Sequence, residues 1–298
     1  MIAIFLALGA AASNAVASVL QRRAARELPA KEAFRPALVR DLLRRPIWFG
    51  GIAALIAGFL FQAAALSKGG LALVQPLLTA ELPITMILVA RFSRTRLGPG
   101  GWGAVAAVTA GLALLLSTAA PSMDTRTPEP LDWIIAAGGT VGAIAALMAT
   151  AHVIGRSGSL YRAAILGVAT GLGFAFTATF IKAVTRLLDR GFWTLFVSWP
   201  TYAMVVTGLG TLFLLQNALQ SGSLVAAQPA LTVSDPVASV IYGVTLFGET
   251  IRLGPWALAE AAGFALILYG SIHLVRTPTF REHESAARSP ESSFAAGD

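Results

Sequence analysis

The chain has 298 residues, 56% hydrophobic and only 12% charged, with a formal net charge of +7, no cysteine and a mean hydropathy of +0.71. A soluble domain is about 25% charged, so this chain lacks the charge to cover a water-exposed surface, which excludes a soluble enzyme, a disordered chain and a nucleic-acid binder. Without cysteine there is no disulfide framework, thiolate catalysis or Cys-ligated metal.

The apolar residues come in blocks of about 20. They predict an all-α polytopic membrane protein with about nine transmembrane helices, over residues 2–20, 48–66, 70–90, 101–120, 133–152, 162–182, 198–219, 222–247 and 256–275. Ten spans is the alternative, if 192–219 is divided differently. The first block has no basic stretch before it and reads as a retained span, not a cleaved signal peptide. Residues 21–47 are long for a loop; their Arg, Lys and Leu spacing suits either a helix lying on an anionic inner leaflet or a plain stop-transfer loop. The loop 121–132 reads as an ordinary external turn. Trp193 to Trp199 reads as an interfacial aromatic stretch, or else as part of a longer, kinked seventh helix. Beyond Thr277 the sequence is polar, lacks an apolar period and predicts a disordered cytoplasmic tail over 277–298.

Basic residues set the orientation. Placing 21–47 in the cytoplasm puts 16 Arg and Lys on that side and 6 on the other, namely Lys68, Arg126, Lys182, Arg186, Arg190 and Arg252. The expected location is the inner (plasma) membrane, with the N-terminus outside and the C-terminus cytoplasmic.

An internal repeat is the strongest signal. At a constant offset of 153, Leu66 matches Leu219, Gly69 matches Gly222 and Leu71 matches Leu224. The register continues with Gln75–Pro76 on Gln228–Pro229, Thr79 on Thr232 and Pro83 on Pro236. Arg96-Leu-Gly-Pro likewise echoes Arg252-Leu-Gly-Pro. The predicted organisation is a first four-helix repeat over 1–120, a linking helix within 121–155 and a second repeat over 156–276. An odd number of spans separates equivalent positions, so the repeats face opposite ways, as in many alternating-access carriers.

The third span and its counterpart carry the candidate site. An interior proline removes a helix hydrogen bond, and in lipid the freed carbonyl needs a partner in the protein or in a water-lined cavity. Pro76, Pro83, Pro229 and Pro236 therefore mark helices that line a central cavity. Glu81 and Asp235 lie near the middle of those spans, where carboxylates are costly and normally face the bundle interior. They suit proton coupling or a cation site; the alternative is a structural, hydrogen-bonded role. Polar company comes from Asn14, Gln62, Gln75, Thr79, Gln216, Asn217, Gln220, Gln228, Thr232 and Ser234. Lys68 and Lys182 sit near span ends and read as snorkelling side chains. Glu249 falls at a span end and Glu260 inside the last span. Gly138-x-x-x-Gly142 and Gly167-x-x-x-Gly171 read as packing faces.

With the Gly9-Ala-Ala-Ala-Ser-Asn14 opening, Trp48-Phe-Gly-Gly51, the two Gln-Pro helices and the Gly248-Glu249 corner before Gly263 and Gly270, residues 1–275 resemble the drug/metabolite transporter superfamily, its EamA-like proteins and their NIPA-like magnesium-transporting relatives. The first repeat departs from that pattern, with Arg96 where the second has Glu249. The resemblance implies a secondary carrier with two inverted bundles around a cavity. Its function is then export or uptake of a small solute, ion- or proton-coupled. The alternatives are a NIPA-like Mg²⁺ transporter or channel, with Glu81 and Asp235 as candidate ligands, and a structural or assembly protein. Nothing points to an enzyme or a cofactor: there is no Walker loop, dinucleotide fingerprint or zinc motif. The expected partners are the lipid bilayer and a small-molecule or cation substrate, with no nucleic acid; a homodimer is compatible.

Overall fold

Ala-, Leu- and Gly-rich runs have few side chains that compete for backbone hydrogen bonds, and in a bilayer a helix satisfies its backbone internally. A computed structural model describes residues 1–26, 46–92, 98–118, 126–154, 159–220, 224–250 and 255–276, and helices account for nearly all of them. In chain order they are α1 (Ile2–Arg26), α2 (Pro46–Lys68), α3 (Leu71–Leu78), α4 (Glu81–Phe92), α5 (Pro99–Thr118), α6 (Pro130–Ile154), α7 (Ser159–Leu188), α8 (Thr194–Val197), α9 (Trp199–Gln220), α10 (Leu224–Phe247) and α11 (Pro255–Arg276). Pro46, Pro99, Pro130 and Pro255 each open a helix, where a missing N–H costs nothing and a fixed φ helps.

Among the described residues, eight stretches are long and apolar enough to cross a bilayer, with Leu71–Phe92 counting α3 and α4 together. A shorter apolar stretch, Leu258–Leu274, lies in α11. The architecture is an all-α bundle of long apolar helices, that of a multi-pass membrane protein. Phe5, Leu55, Ile56, Phe59, Leu60, Val206 and Phe213 are exposed, as suits side chains that face lipid.

Several boundaries differ from the sequence expectation. Of the two readings of Trp193 to Trp199, the separate stretch is the one seen: α8 is its own turn, and Ser198 is extended (φ −100°, ψ 130°) before α9 begins at Trp199. α7 is 30 residues long and ends at Leu188, six residues past the predicted end of its span. Most of the 21–47 segment, and the 277–298 tail, lie outside the described residues.

Packing relies on small residues. The α1 face with Ala3, Ala7, Ala10 and Ala11 is buried, and Asn14 presses directly on Gly58 of α2. α1 packs on α2, α3 and α4; α7 packs on α9 and α10. Gly167 and Gly171 abut the α10 backbone near Ala227 and Asp235, so this pair is a close-approach face. Gly138 and Gly142 are not: nothing lies within 4 Å of either position, because that side of α6 points away from the bundle. α5 and α11 cross backbone to backbone, where a Cβ on Gly111 would stand 2.6 Å from the Gly263 carbonyl.

Contacts also fix which segments share an end. Gly69 touches Ala3, Arg126 bonds to Thr245 and Phe247, and Trp133 meets Trp199 and Phe247. Residue 1, residues 69–70, 126–133 and 245–249 therefore occupy one end of the bundle.

Candidate functional site

The third span is broken. α3 stops at Leu78 and α4 starts at Glu81, with Thr79 and Ala80 between them. Around the break the amides reach back three residues: Thr79 N to Pro76 O, Ala80 N to Leu77 O and Leu82 N to Thr79 O, each 3.1 Å. The Thr79 hydroxyl donates to the same Pro76 carbonyl at 2.7 Å. Pro83 lacks the N–H that would have continued the ladder to Thr79, so the break forms where the backbone has fewest alternatives.

The N-terminus of α3 is held by a carboxylate from far along the chain. Glu249 accepts from Leu71 N at 2.7 Å and from Ala72 N at 2.9 Å. Lys182 Nζ donates to the same Glu249 at 2.7 Å and to the Gly69 carbonyl at 3.4 Å. The Lys182 and Glu249 side chains are 1% and 0% exposed. Such burial is tolerable because the carboxylate satisfies two orphan amides at a helix N-terminus while pairing with the lysine. Two glycines make the room: a Cβ on Gly70 or Gly243 would stand 2.6 or 2.5 Å from the carboxylate. Gly248, at φ +65°, turns the chain at the end of α10, and Glu249 N then bonds to Gly243 O at 3.0 Å.

A second layer ties the linking helix to this pair. Arg126 donates to the Thr245 carbonyl at 3.3 Å, its backbone N–H donates to Phe247 O at 3.1 Å, and it pairs with Asp132 at 2.7 Å. Arg126 thus docks on the C-terminal carbonyls of α10, where a cation is favoured, and its pair with Asp132 ties the start of α6 to them. Lys182 and Arg186 lie 4.9 and 5.0 Å from the centre of the Phe247 ring. Trp133 of α6 stacks on Phe180 and meets Trp199 and Phe247 edge-on.

Below this pair lies a cavity of about 40 Å³, lined by Ala72, Leu73, Pro76 and Leu77 of α3, with α5, Val240 of α10, and Glu260 and Phe264 of α11. That volume holds a few waters at most. Glu260 carries a buried Oε1 without a hydrogen-bond partner in the structure.

The predicted site residues are distributed as follows. Gln75 is 2% exposed on α3, with its Nε2 unpartnered, and Thr79 and Thr232 are buried. Pro76, Pro83, Pro229 and Pro236 are all buried, and α3 packs against α10. Glu81 and Asp235 are half-buried and turned to different neighbours: Ser18 of α1 donates to Glu81 at 3.5 Å, and Ser239 donates to Asp235 at 3.3 Å. Thr232, Ser234 and Asn217 donate to carbonyls of their own helices, of Gln228, Leu231 and Phe213. Gln62 and Gln228 are half-buried, and Gln216 is exposed on α9. Asn14 sits against Gly58 of α2.

Sequence reasoning missed the Lys182–Glu249 pair. Lys182 does not snorkel to an interface, because α7 continues six residues beyond it and buries it. The available signal was the general one that an ionisable residue within an apolar stretch pairs with another, applied to Lys182 and the Gly248-Glu249 corner together.

These features define a polytopic helical membrane protein with a broken, acid-capped helix at its centre. No family model matches the chain, and no solved structure does. It is similar to a protein of Corynebacterium glutamicum described as uncharacterized, 27% identical over 284 residues that cover 94% of this chain and 96% of the relative.

Proposed function

We propose that the protein is a secondary transporter of the drug/metabolite transporter type, moving a small solute across the plasma membrane. The observation that carries this is the cavity walled by the broken helix α3 and by α5, α10 and α11. Discontinuous helices at the junction of two repeats are the usual construction of substrate sites in such carriers. At about 40 Å³ the cavity is far below the ~300 Å³ or more of a small-molecule site. In this reading the cavity must widen for a solute to enter.

The two-repeat reading has independent support. Under the offset of 153, α2 falls on α9, α3–α4 on α10 and α5 on α11, within a few residues at each end. The pairing α1 with α2 and α3–α4 recurs as α7 with α9 and α10, and α5 meets its own counterpart α11. The repeats are 1–120 and 156–276, inverted about the linking helix of 121–155. In this reading the end bearing residue 1 faces outside. Glu81, Asp235 and Glu260 are the carboxylates we assign to carry a proton or cation; Glu260 lines the cavity itself, whereas Glu81 and Asp235 lie outside its lining.

Uptake into proteoliposomes under an imposed pH gradient tests this, with Mg²⁺, amino acids and lipophilic cations as the solutes. The expected outcome is saturable, solute-dependent proton movement that Glu81→Gln and Asp235→Asn abolish while still reaching the membrane. Non-saturating conductance identifies a pore instead. Wild-type flux in both variants removes the carboxylates from the site.

A further inference from the structure

We propose that Lys182 and Glu249 form a one-sided gate, a latch that shuts the cavity toward the end of the bundle bearing residue 1. Parting this pair is then the step that opens the cavity there. This builds on the transporter reading, but its first test does not depend on transport.

Position is the first argument. Ala72 donates its backbone N–H to Glu249 and also lines the cavity, so the latch lies directly over the cavity wall with no intervening layer. The second argument is the number of interactions made at one point. Leu71 N, Ala72 N and Lys182 Nζ converge on one carboxylate. Separating α3 from Glu249 breaks both amide-to-carboxylate hydrogen bonds together. Water entering the gap then solvates the freed groups. An arrangement stable when dry and closed, or wet and open, but costly in between, is bistable.

Asymmetry is the third argument. In the repeat register Lys182 corresponds to Pro29, Glu249 to Arg96 and Gly70 to Ser223. Proline and arginine cannot form a lysine–carboxylate pair, so the repeat register does not reproduce this latch at the equivalent positions. The charge pair therefore biases the protein toward closure at the end bearing residue 1, and the repeat register supplies no matching pair to balance it.

The chain has no cysteine, so a single introduced thiol reports access. Ala72→Cys is reconstituted into sealed vesicles, with a tag on residue 1 to report sidedness, and reacted with a membrane-impermeant maleimide. With the latch intact, labelling from the residue-1 side is slow. With Lys182→Met and Glu249→Gln added, it speeds up by about tenfold or more, as expected when a closed state loses its bias. Glu249→Asp keeps the charge but shortens its reach by one methylene, and labels at an intermediate rate; it decides the matter if the double variant does not fold. Equal rates in latched and unlatched proteins overturn the latch. Faster labelling in a protein that moves no solute upholds the latch and removes the transporter reading. Normal flux with unchanged labelling does the reverse.

Discussion

The two proline helices carry the same Gln-Pro-x-x-Thr-x-x-x-Pro sequence, yet one is broken and the other is not. α3–α4 breaks at Thr79 and Ala80, whereas α10 runs unbroken from Leu224 to Phe247 through Pro229 and Pro236. Proline spacing alone therefore does not set the break. The threonines differ first: Thr79 bonds to the carbonyl three residues back, whereas Thr232 bonds to Gln228, four back. The neighbours differ more. α7 presents Gly167 and Gly171, which let it clamp the α10 backbone, while the equivalent positions of α1 are Asn14 and Ser18. Ser18 instead donates to Glu81, which sits in the first turn of α4, where a negative charge favours a new helix start. The same sequence motif thus gives a continuous helix where its neighbour is smooth and a break where its neighbour is polar.

The sharpest way to break this comparison is to remove the cap that holds the broken helix. Glu249→Ala leaves Lys182 and two amides buried without their acceptor, at an expected cost of about 3–5 kcal/mol. Thermal unfolding in detergent measures it, and an unchanged melting temperature contradicts the assignment. Lys182→Met with Glu249→Gln should unfold at a higher temperature than Glu249→Ala, since no charge is left unpaired. Gly171→Ala comes next. Its Cβ would stand 2.9 Å from Asp235 N and 3.0 Å from Leu231 O, backbone atoms that cannot rotate aside. The expected loss is about 1–3 kcal/mol. Ser18→Ala, at the equivalent position, should cost about 1 kcal/mol or less; equal losses at the two positions would undo the comparison. Smallest of all, Gly138→Ala on the open face of α6 should change stability by less than about 0.5 kcal/mol.

The sequence discloses the bundle well because apolar length and charge spacing act locally. Each predicted span overlaps a described helix, although the last holds only a shorter apolar stretch, and the Gln-Pro register marks two helices with buried prolines, of which only α3–α4 is broken. It fails where the determining contact is remote or depends on helix length. Glu249 looks like a corner residue until α3 is placed against it, 178 residues away. Lys182 looks interfacial only while α7 is taken to end there, and nothing in an apolar helix marks where it stops until Gly191 turns the chain at φ +113°. Glu81 and Asp235 sit in similar sequence settings, yet they take different hydrogen-bond partners, because α1 and α7 present different side chains to them.

Glu249 also imposes an order on biogenesis. Leu71 and Ala72 leave the ribosome long before the residue that accepts their N–H groups; at roughly 5–20 residues per second the delay is about 10–35 s. Throughout that interval the nascent α2–α3 turn waits without its acceptor, and only the last helices to be made can supply it. Insertion of the early helices and completion of the bundle are therefore separate events, and a chain truncated before Gly248 can complete the first without the second.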